Sequence, residues 1–182
     1  MNDKAEKVYA DAFFTLCLEE TPDTLKNTLG ELSALDGIFR EQPDFVKLLG
    51  TPTVTMDEKL GMIKDIIADG ISEYTGNLLC VLTERGRMGC FSGIVKNFRA
   101  LYNEHFRIAE ITVTASAPLS ESVRDKIAAK MSEVTGKTVS IKEKVDPSII
   151  GGVVIDYGST RYDGSVRTRL NELKKELGGV IA

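Results

Sequence analysis

Between Lys4 and Leu18, apolar residues fall at Ala5, Val8, Tyr9, Ala12, Phe13 and Leu16, the spacing of an amphipathic helix. A second helix is predicted after Thr21-Pro22-Asp23, with Thr21 as N-cap and Pro22 at its first position, carried by Leu25, Leu29, Leu32, Leu35 and Phe39. Pro43 opens a short third helix ending at Gly50. Thr55-Met56-Asp57-Glu58 is a capping box that launches a fourth through Leu60, Met62, Ile63, Ile66 and Ile67 to Gly70. Tyr74, Leu78, Leu79, Val81 and Leu82 define a fifth that reaches Gly86, and a sixth is predicted from Met88 to Phe106. Six short helices joined by tight loops form an all-α bundle.

At Ile108 the period changes from helical spacing to alternation. Ala109, Ile111, Val113 and Ala115 face one way, and Ile108, Glu110, Thr112 and Thr114 the other. A helix through Val123, Ile127, Ala128, Met131 and Val134 follows Ser120 and stops at Gly136, after which Thr138 to Val145 alternates again. Ile149, Ile150, Val153, Val154 and Ile155 read as a buried strand, with the Gly151-Gly152 pair marking a bulge or a close backbone approach. Gly158-Ser159 turns the chain, Thr160 to Tyr162 returns, and Asp163-Gly164-Ser165 caps a last helix whose stripe is Val166, Leu170, Leu173 and Leu177. Gly178-Gly179 is its expected end. The reading is α+β overall: a six-helix bundle over residues 1–105, then a small α/β domain, β-α-β-β-β-α, over 106–182.

Charge sharpens that division. Of the 182 residues, 1–105 carry net −6 and 106–182 net +2. No stretch concentrates Lys and Arg as phosphate-backbone binding requires, so nucleic acid is not an expected partner. The odd, scattered Cys17, Cys80 and Cys90 form no CxxC pair, which argues against a disulfide framework or a zinc site and fits a reducing compartment. Cys17 and Cys80 fall on apolar helix faces, and Cys90, beside Gly89, is expected to be more exposed. The acidic start lacks the basic and apolar regions of a signal peptide, and the longest apolar runs are far short of the ~20 residues that span a bilayer. Membrane association is expected only through a partner.

Chemistry-bearing residues are sparse. Gly136-Lys137-Thr138 resembles the end of a phosphate-binding loop, but Met131 stands where that loop needs Gly, and the order of helix and strand is reversed. His105 is the single histidine and has no ligand partners at metal spacing. Asp156, Asp163, Glu172 and Glu176 lie among Arg161, Arg167, Arg169 and Lys174, which reads as ion pairing on a solvated face. No catalytic residue, cofactor or metal site is predicted. The apolar width of helix one, where Phe13, Phe14 and Leu18 extend past the Val8, Ala12, Leu16 line, leaves two readings: contact with two neighbouring helices, or part of a groove for a partner helix.

Three segments carry a resemblance across the chain. They are Val8-Tyr9-Ala10 leading to Ala12-Phe13; Asn77-Leu78-Leu79 through Leu82 with Arg85-Gly86-Arg87-Met88; and Asp146-Pro147-Ser148-Ile149-Ile150-Gly151-Gly152-Val153 with Asp163-Gly164-Ser165-Val166-Arg167, Leu170 and Leu173. Together they resemble the delta subunit of F-type ATP synthases, related to the mitochondrial oligomycin-sensitivity conferral protein. The resemblance implies a non-catalytic stator subunit of the peripheral stalk, acting at the cytoplasmic face of the cell membrane and resisting rotor torque during proton-driven ATP synthesis. Its helical domain would bind N-terminal segments of the α subunits, and its C-terminal domain the end of the b subunits. On this basis the α-subunit surface is expected at Tyr9, Ala12, Phe13, Leu78, Leu79 and Leu82, and a charge at Tyr9 or Leu79 is expected to weaken that contact without unfolding the domain. The b-subunit surface is expected at Gly151, Gly152, Val166, Arg167 and Leu170, with the last helix's apolar stripe mostly core. Without the resemblance, a generic two-domain adaptor for partner helices would lead, followed by a small nucleotide-dependent enzyme using Gly136-Lys137-Thr138.

Overall fold

A computed structural model describes residues 3–20, 22–51, 54–68 and 70–180, with the side chains of 22, 64–68 and 178–180 outside the described set. The predicted cap Thr21 and the side chains of Ile66 and Ile67 therefore lie outside the described residues. The chain divides into two units, Met1–Tyr102 and Asn103–Ala182.

The first unit holds α1 (Asp3–Leu18), α2 (Pro22–Glu41), α3 (Pro43–Gly50), α4 (Met56–Ala68), α5 (Glu73–Glu84) and most of α6 (Phe91–His105). Its helix starts follow from local chemistry. Pro22 and Pro43 sit at first positions, where the missing N–H is harmless. Thr55 and Glu58 form the reciprocal box: the Thr55 N–H donates to Glu58 Oε2 at 3.1 Å, and the Glu58 N–H to Thr55 Oγ1 at 3.4 Å. Ser72 caps α5, accepting from the Thr75 N–H, and is itself tied to α2 because Glu31 accepts from its N–H and its hydroxyl.

Aromatic and leucine side chains close this core. Phe13 and Phe14 meet Phe98 at ring-centroid distances of 5.6 and 5.5 Å, and Phe39 meets Phe91 edge-on at 5.1 Å. Leu25, Leu32, Ile63, Leu79, Leu82 and Ile94 are wholly removed from water. Two expectations change here. The sixth helix is preceded by a 3₁₀ turn, Met88–Cys90, which tucks Cys90 into the core, so Cys90 is buried and Cys80 is the half-buried one. Gly86, at φ +62°, is the left-handed stop of α5 that lets the Arg87 N–H reach the Leu82 carbonyl at 2.7 Å.

The second unit contains β1 (Ile108–Ala115), α7 (Glu121–Thr135), β2 (Thr138–Val145), β3 (Val153–Tyr157), β4 (Thr160–Asp163) and α8 (Val166–Val180). The sheet order is β2-β1-β3-β4. β1 runs parallel to β2 with Ile108 opposite Thr138, which requires α7 as the crossover, and antiparallel to β3. Ala109, Ile111, Val113 and Ala115 are all buried, as the alternation predicts. The core is small: Ile111, Val113 and Met131, surrounded by partly covered Leu119, Ile127, Val139, Ile141, Val153, Ile155 and Tyr157.

The segment before α8 differs from the sequence reading. Ile149 and Ile150 are not strand. Asp146 accepts from the Ser148 N–H at 2.9 Å and opens a 3₁₀ turn, Pro147–Ile149, after which Ile150 adopts φ +69° with an exposed side chain. The Gly151-Gly152 pair is the close backbone approach anticipated. Gly152 stands at φ +76°, and a Cβ there would be driven into the Gly164 carbonyl, while the Val166 N–H donates to the Gly151 carbonyl at 2.9 Å. Asp163 and Ser165 cap α8: Asp163 Oδ1 accepts from the Ser165 N–H, and Ser165 Oγ from the Thr168 N–H. The helix then runs past Gly178-Gly179 to Val180, because glycine permits a left-handed stop without imposing one. Most consequentially, its apolar stripe is not core. Leu170, Leu173 and Leu177 are 51%, 53% and 65% exposed, and the element α8 chiefly touches is the Pro147–Ile149 turn beside its capped N-terminus.

Candidate functional site: an apolar groove and a bare helix

In the first unit, α1 and α5 run antiparallel: Arg87, just past α5, lies over the Tyr9 ring in the first half of α1, while Glu20, just past α1, is close enough to Tyr74, at the start of α5, to push its pKa up. Between them is a groove of about 400 Å³ lined by Tyr9, Ala12, Phe13, Leu16, Tyr74, Asn77, Leu78 and Val81. Both helices supply residues at i, i+3/i+4 and i+7, so one face of each turns towards the hollow. Phe13 and Leu78 are nearly buried and form its floor, whereas Leu16 and Val81 stand 46% and 42% exposed on its rims. Such a surface, apolar, elongated and walled by two helices, suits the nonpolar face of a third helix.

Tyr9, Ala12, Phe13 and Leu78 therefore meet in the groove. Leu79 and Leu82 do not reach it: both are 0% exposed, on the α5 face that packs into the bundle. Substituting a charge at Leu79 strikes the core rather than a binding surface, contrary to the expectation that the unit would stay folded. Leu16, Tyr74, Asn77, Val81 and Arg87 were not anticipated as site residues. Their signal was present, since Leu16 continues Ala12 at i+4, and Tyr74 and Val81 bracket Leu78 at i−4 and i+3.

The groove carries charge at both ends. The Arg87 guanidinium carbon is 5.6 Å from the Tyr9 ring centroid, with Nη1 donating to the Tyr9 hydroxyl at 3.4 Å. At the other end, Glu20 accepting the Tyr74 hydroxyl, with Glu73 nearby, pushes the Tyr74 pKa up. A second, larger apolar hollow of about 520 Å³ lies against α2 and α3, lined by Ala34, Leu35, Ile38, Phe39 and Phe45 among others.

In the second unit, the residues expected at a partner surface separate by role. Gly151 and Gly152 pack against the Gly164–Val166 backbone and fix how α8 leaves the sheet. Val166 and Leu170 begin the uncovered stripe, with Leu173 and Leu177 following and Ile150 also exposed. Arg167 donates to Ser148 Oγ at 3.3 Å. Nearby, Arg161 grips Asp156 through two hydrogen bonds of 2.6 and 3.0 Å, which holds the Asp156 carboxyl below its usual range.

The remaining chemical candidates are occupied structurally. Gly136 ends α7 at φ +65°, the Lys137 N–H donates to Thr135 Oγ1, and the Thr138 N–H donates to the Arg107 carbonyl, so the donors a phosphate cradle would need are engaged. Cys17 is buried with Sγ towards Thr28, and burial pushes its thiol pKa up, opposite to the activation a nucleophile needs. His105 stacks edge-on against Phe106. Among the described residues, no group of three or more His, Cys, Asp or Glu side chains could hold a metal, and no helix is long and apolar enough to cross a membrane.

Comparison with known proteins agrees with this architecture. Residues 5–177 match the ATP synthase delta (OSCP) subunit family. The chain is 34% identical over 173 residues to the chloroplastic ATP synthase subunit delta of Emiliania huxleyi, covering 94% of this chain and 95% of that protein. It is 32% identical over 172 residues to the mitochondrial ATP synthase subunit O of Ipomoea batatas, covering 93% of this chain and 70% of that protein. Its fold is similar to a chain of the Toxoplasma gondii mitochondrial ATP synthase hexamer, with a TM-score of 0.70 at 22% identity, covering 94% of this chain and 96% of the other.

Proposed function

The chain belongs to the ATP synthase delta (OSCP) subunit family, non-catalytic components of the F-type enzyme, and on that premise we propose that it is a two-ended stator connector of the peripheral stalk. The α1/α5 groove takes the N-terminal segment of an α subunit as an amphipathic helix, and the bare stripe of α8 takes the C-terminal end of a b subunit. The chain thereby holds the catalytic head against rotor torque, at the cytoplasmic face of the membrane and attached to it only through the complex.

The observation that supports this most is the presence of one apolar, helix-shaped surface in each unit. A groove flanked by residues at helical spacing admits a helix, and a helix exposing Val166, Leu170, Leu173 and Leu177 offers a seam for another. On α8, Arg167, Arg169, Lys174 and Lys175 outnumber Glu172 and Glu176, a small basic excess that favours a partner with acidic flanks. A generic adaptor would also use such surfaces, but the family match over residues 5–177 favours the ATP synthase partners.

Size-exclusion chromatography of the purified catalytic head and the soluble portion of the b subunit, with and without this chain, tests the connector role. A ternary complex should form only when the chain is present. Separate elution of head and b in its presence would overturn the proposal.

A further inference from the structure

One row of residues crosses all four strands of the second unit. Lys144 on β2 stands opposite Thr114 on β1, Thr114 opposite Val154 on β3, and Val154 opposite Asp163 on β4. Facing partners in a sheet point to the same side, and this row points away from Ile111 and Val113, which are buried on the other. The Pro147–Ile149 turn and the first turn of α8 wall the row in and leave a hollow of about 320 Å³. That is roughly ten times the share of one water in the liquid. Val154 and Ile149, both nearly buried, give the hollow an apolar backing. Its charged groups are unequally engaged. Arg161 is held by Asp156 through two hydrogen bonds. Asp163 accepts from the Ser165 N–H and the Thr168 hydroxyl at the positive end of α8, and Asp146 accepts from the Ser148 N–H. Two cations are left over. Arg167 donates to a neutral acceptor, Ser148 Oγ at 3.3 Å, and Lys144 has no hydrogen-bond or ion-pair partner among the described residues.

We propose that this hollow is a binding site for a small oxyanion, a carboxylate or phosphate group, held between the Lys144 ammonium and the Arg167 guanidinium beside the hydroxyls of Thr114 and Ser148. The planar guanidinium matches two oxygens of such a group, and the ammonium adds a point charge. The apolar backing of Val154 and Ile149 strengthens both contacts over what open water would allow. Asp146 is the one carboxylate near both cations, and Asp156, the other acid near Lys144, is occupied by Arg161. A free anion and an acidic group carried by a partner chain offer the same chemistry. The site does not depend on which helix covers α8.

NMR titration of the full, ¹⁵N-labelled chain with sodium phosphate and, separately, sodium acetate tests this, at an ionic strength held constant with sodium chloride. The amides of Thr114, Lys144, Ser148 and Arg167 should shift and saturate, while those of Lys174 and Lys175 on α8 stay put. Saturation by acetate assigns the site to carboxylates, and saturation by phosphate alone assigns it to phosphate groups. Lys144 and Arg167 are exposed, so Lys144→Gln and Arg167→Gln should leave the fold intact. Each should weaken the anion about two- to five-fold, and the double variant about ten-fold. Saturation by neither anion overturns the proposal, as do equal shifts at Lys174 and Lys175 or an unchanged affinity in the double variant.

Discussion

The two units use apolar surface in opposite ways. In the first, a large core formed by Phe13, Phe14, Phe39, Phe91, Phe98 and several leucines holds six helices, and the candidate site is a hollow left between two of them. In the second, Ile111, Val113 and Met131 form a small buried cluster surrounded by partly covered side chains, and α8 leaves Leu170, Leu173 and Leu177 more than half exposed. A hollow presupposes rigid walls, so the groove depends on the core behind it. The bare helix depends only on its anchor: the Gly151-Gly152 approach and the Asp163/Ser165 cap.

The largest effect should come from placing one charge in each setting. Leu79→Asp or Leu82→Asp buries a carboxylate without a partner, a penalty of several kcal/mol against a total stability of about 5–15 kcal/mol. Far-UV circular dichroism should show loss of the helical unit. The same change at Leu173, on exposed α8, should leave the melting curve unchanged. Equal damage at both positions would break the comparison.

The anchor of α8 is tested next. Gly152→Ala forces a side chain into a positive-φ position and towards the Gly164 carbonyl, which should destabilise the second unit by about 1–3 kcal/mol. Hydrogen exchange should report faster opening of β3, β4 and the first turn of α8 while α1 to α5 keep their protection. A smaller effect belongs to the first unit: Thr55→Ala removes half of the α4 capping box and should cost about 1 kcal/mol, measurable by urea denaturation.

Acid gives the mildest contrast. Among the described residues, Glu143, Asp146, Asp156 and Asp163 in the second unit have lowered pKa values. Hydrogen bonds lower them: from the Leu119 N–H and Arg124 for Glu143, from Ser148 for Asp146, from Arg161 for Asp156, and from Ser165 and Thr168 for Asp163. In the first unit Glu58 is lowered, by Thr55. Folded carboxyls with lowered pKa bind fewer protons than their unfolded counterparts. Their stabilisation is therefore complete above the ordinary carboxylate range near pH 4 and fades as pH falls through the lowered folded values. In an acid titration followed by NMR, the second unit should lose more of its stability than the first as pH falls below about 4.

Much of this architecture was legible in the sequence, and the misses share a cause. The alternation of Ala109, Ile111, Val113 and Ala115 located the buried sheet face, and Thr55 with Glu58 located a helix start, because those signals act over a few residues. The α8 stripe was legible as apolar but not as bare. Periodicity shows which side of a helix is nonpolar, whereas cover depends on what packs there. Likewise Leu78 and Leu79 are adjacent and chemically alike, yet one floors the groove and the other is core, a difference set by the rotation of α5 against α1. Ile149 and Ile150 looked like strand because β-branching favours it, but the Asp146 side chain captures the Ser148 N–H and starts a turn instead.

The central claim, one helix-binding surface in each unit, is tested most directly by a crossed calorimetry experiment. Val81→Asp and Leu173→Asp, each in the full chain, are titrated with a peptide from the N-terminus of the α subunit and with a segment from the C-terminus of b. The account predicts that Val81→Asp weakens the α peptide at least about ten-fold, or roughly 1.4 kcal/mol, and leaves the b segment unaffected. Leu173→Asp should do the reverse. Loss of both ligands in either folded variant, or of neither in both, would contradict it.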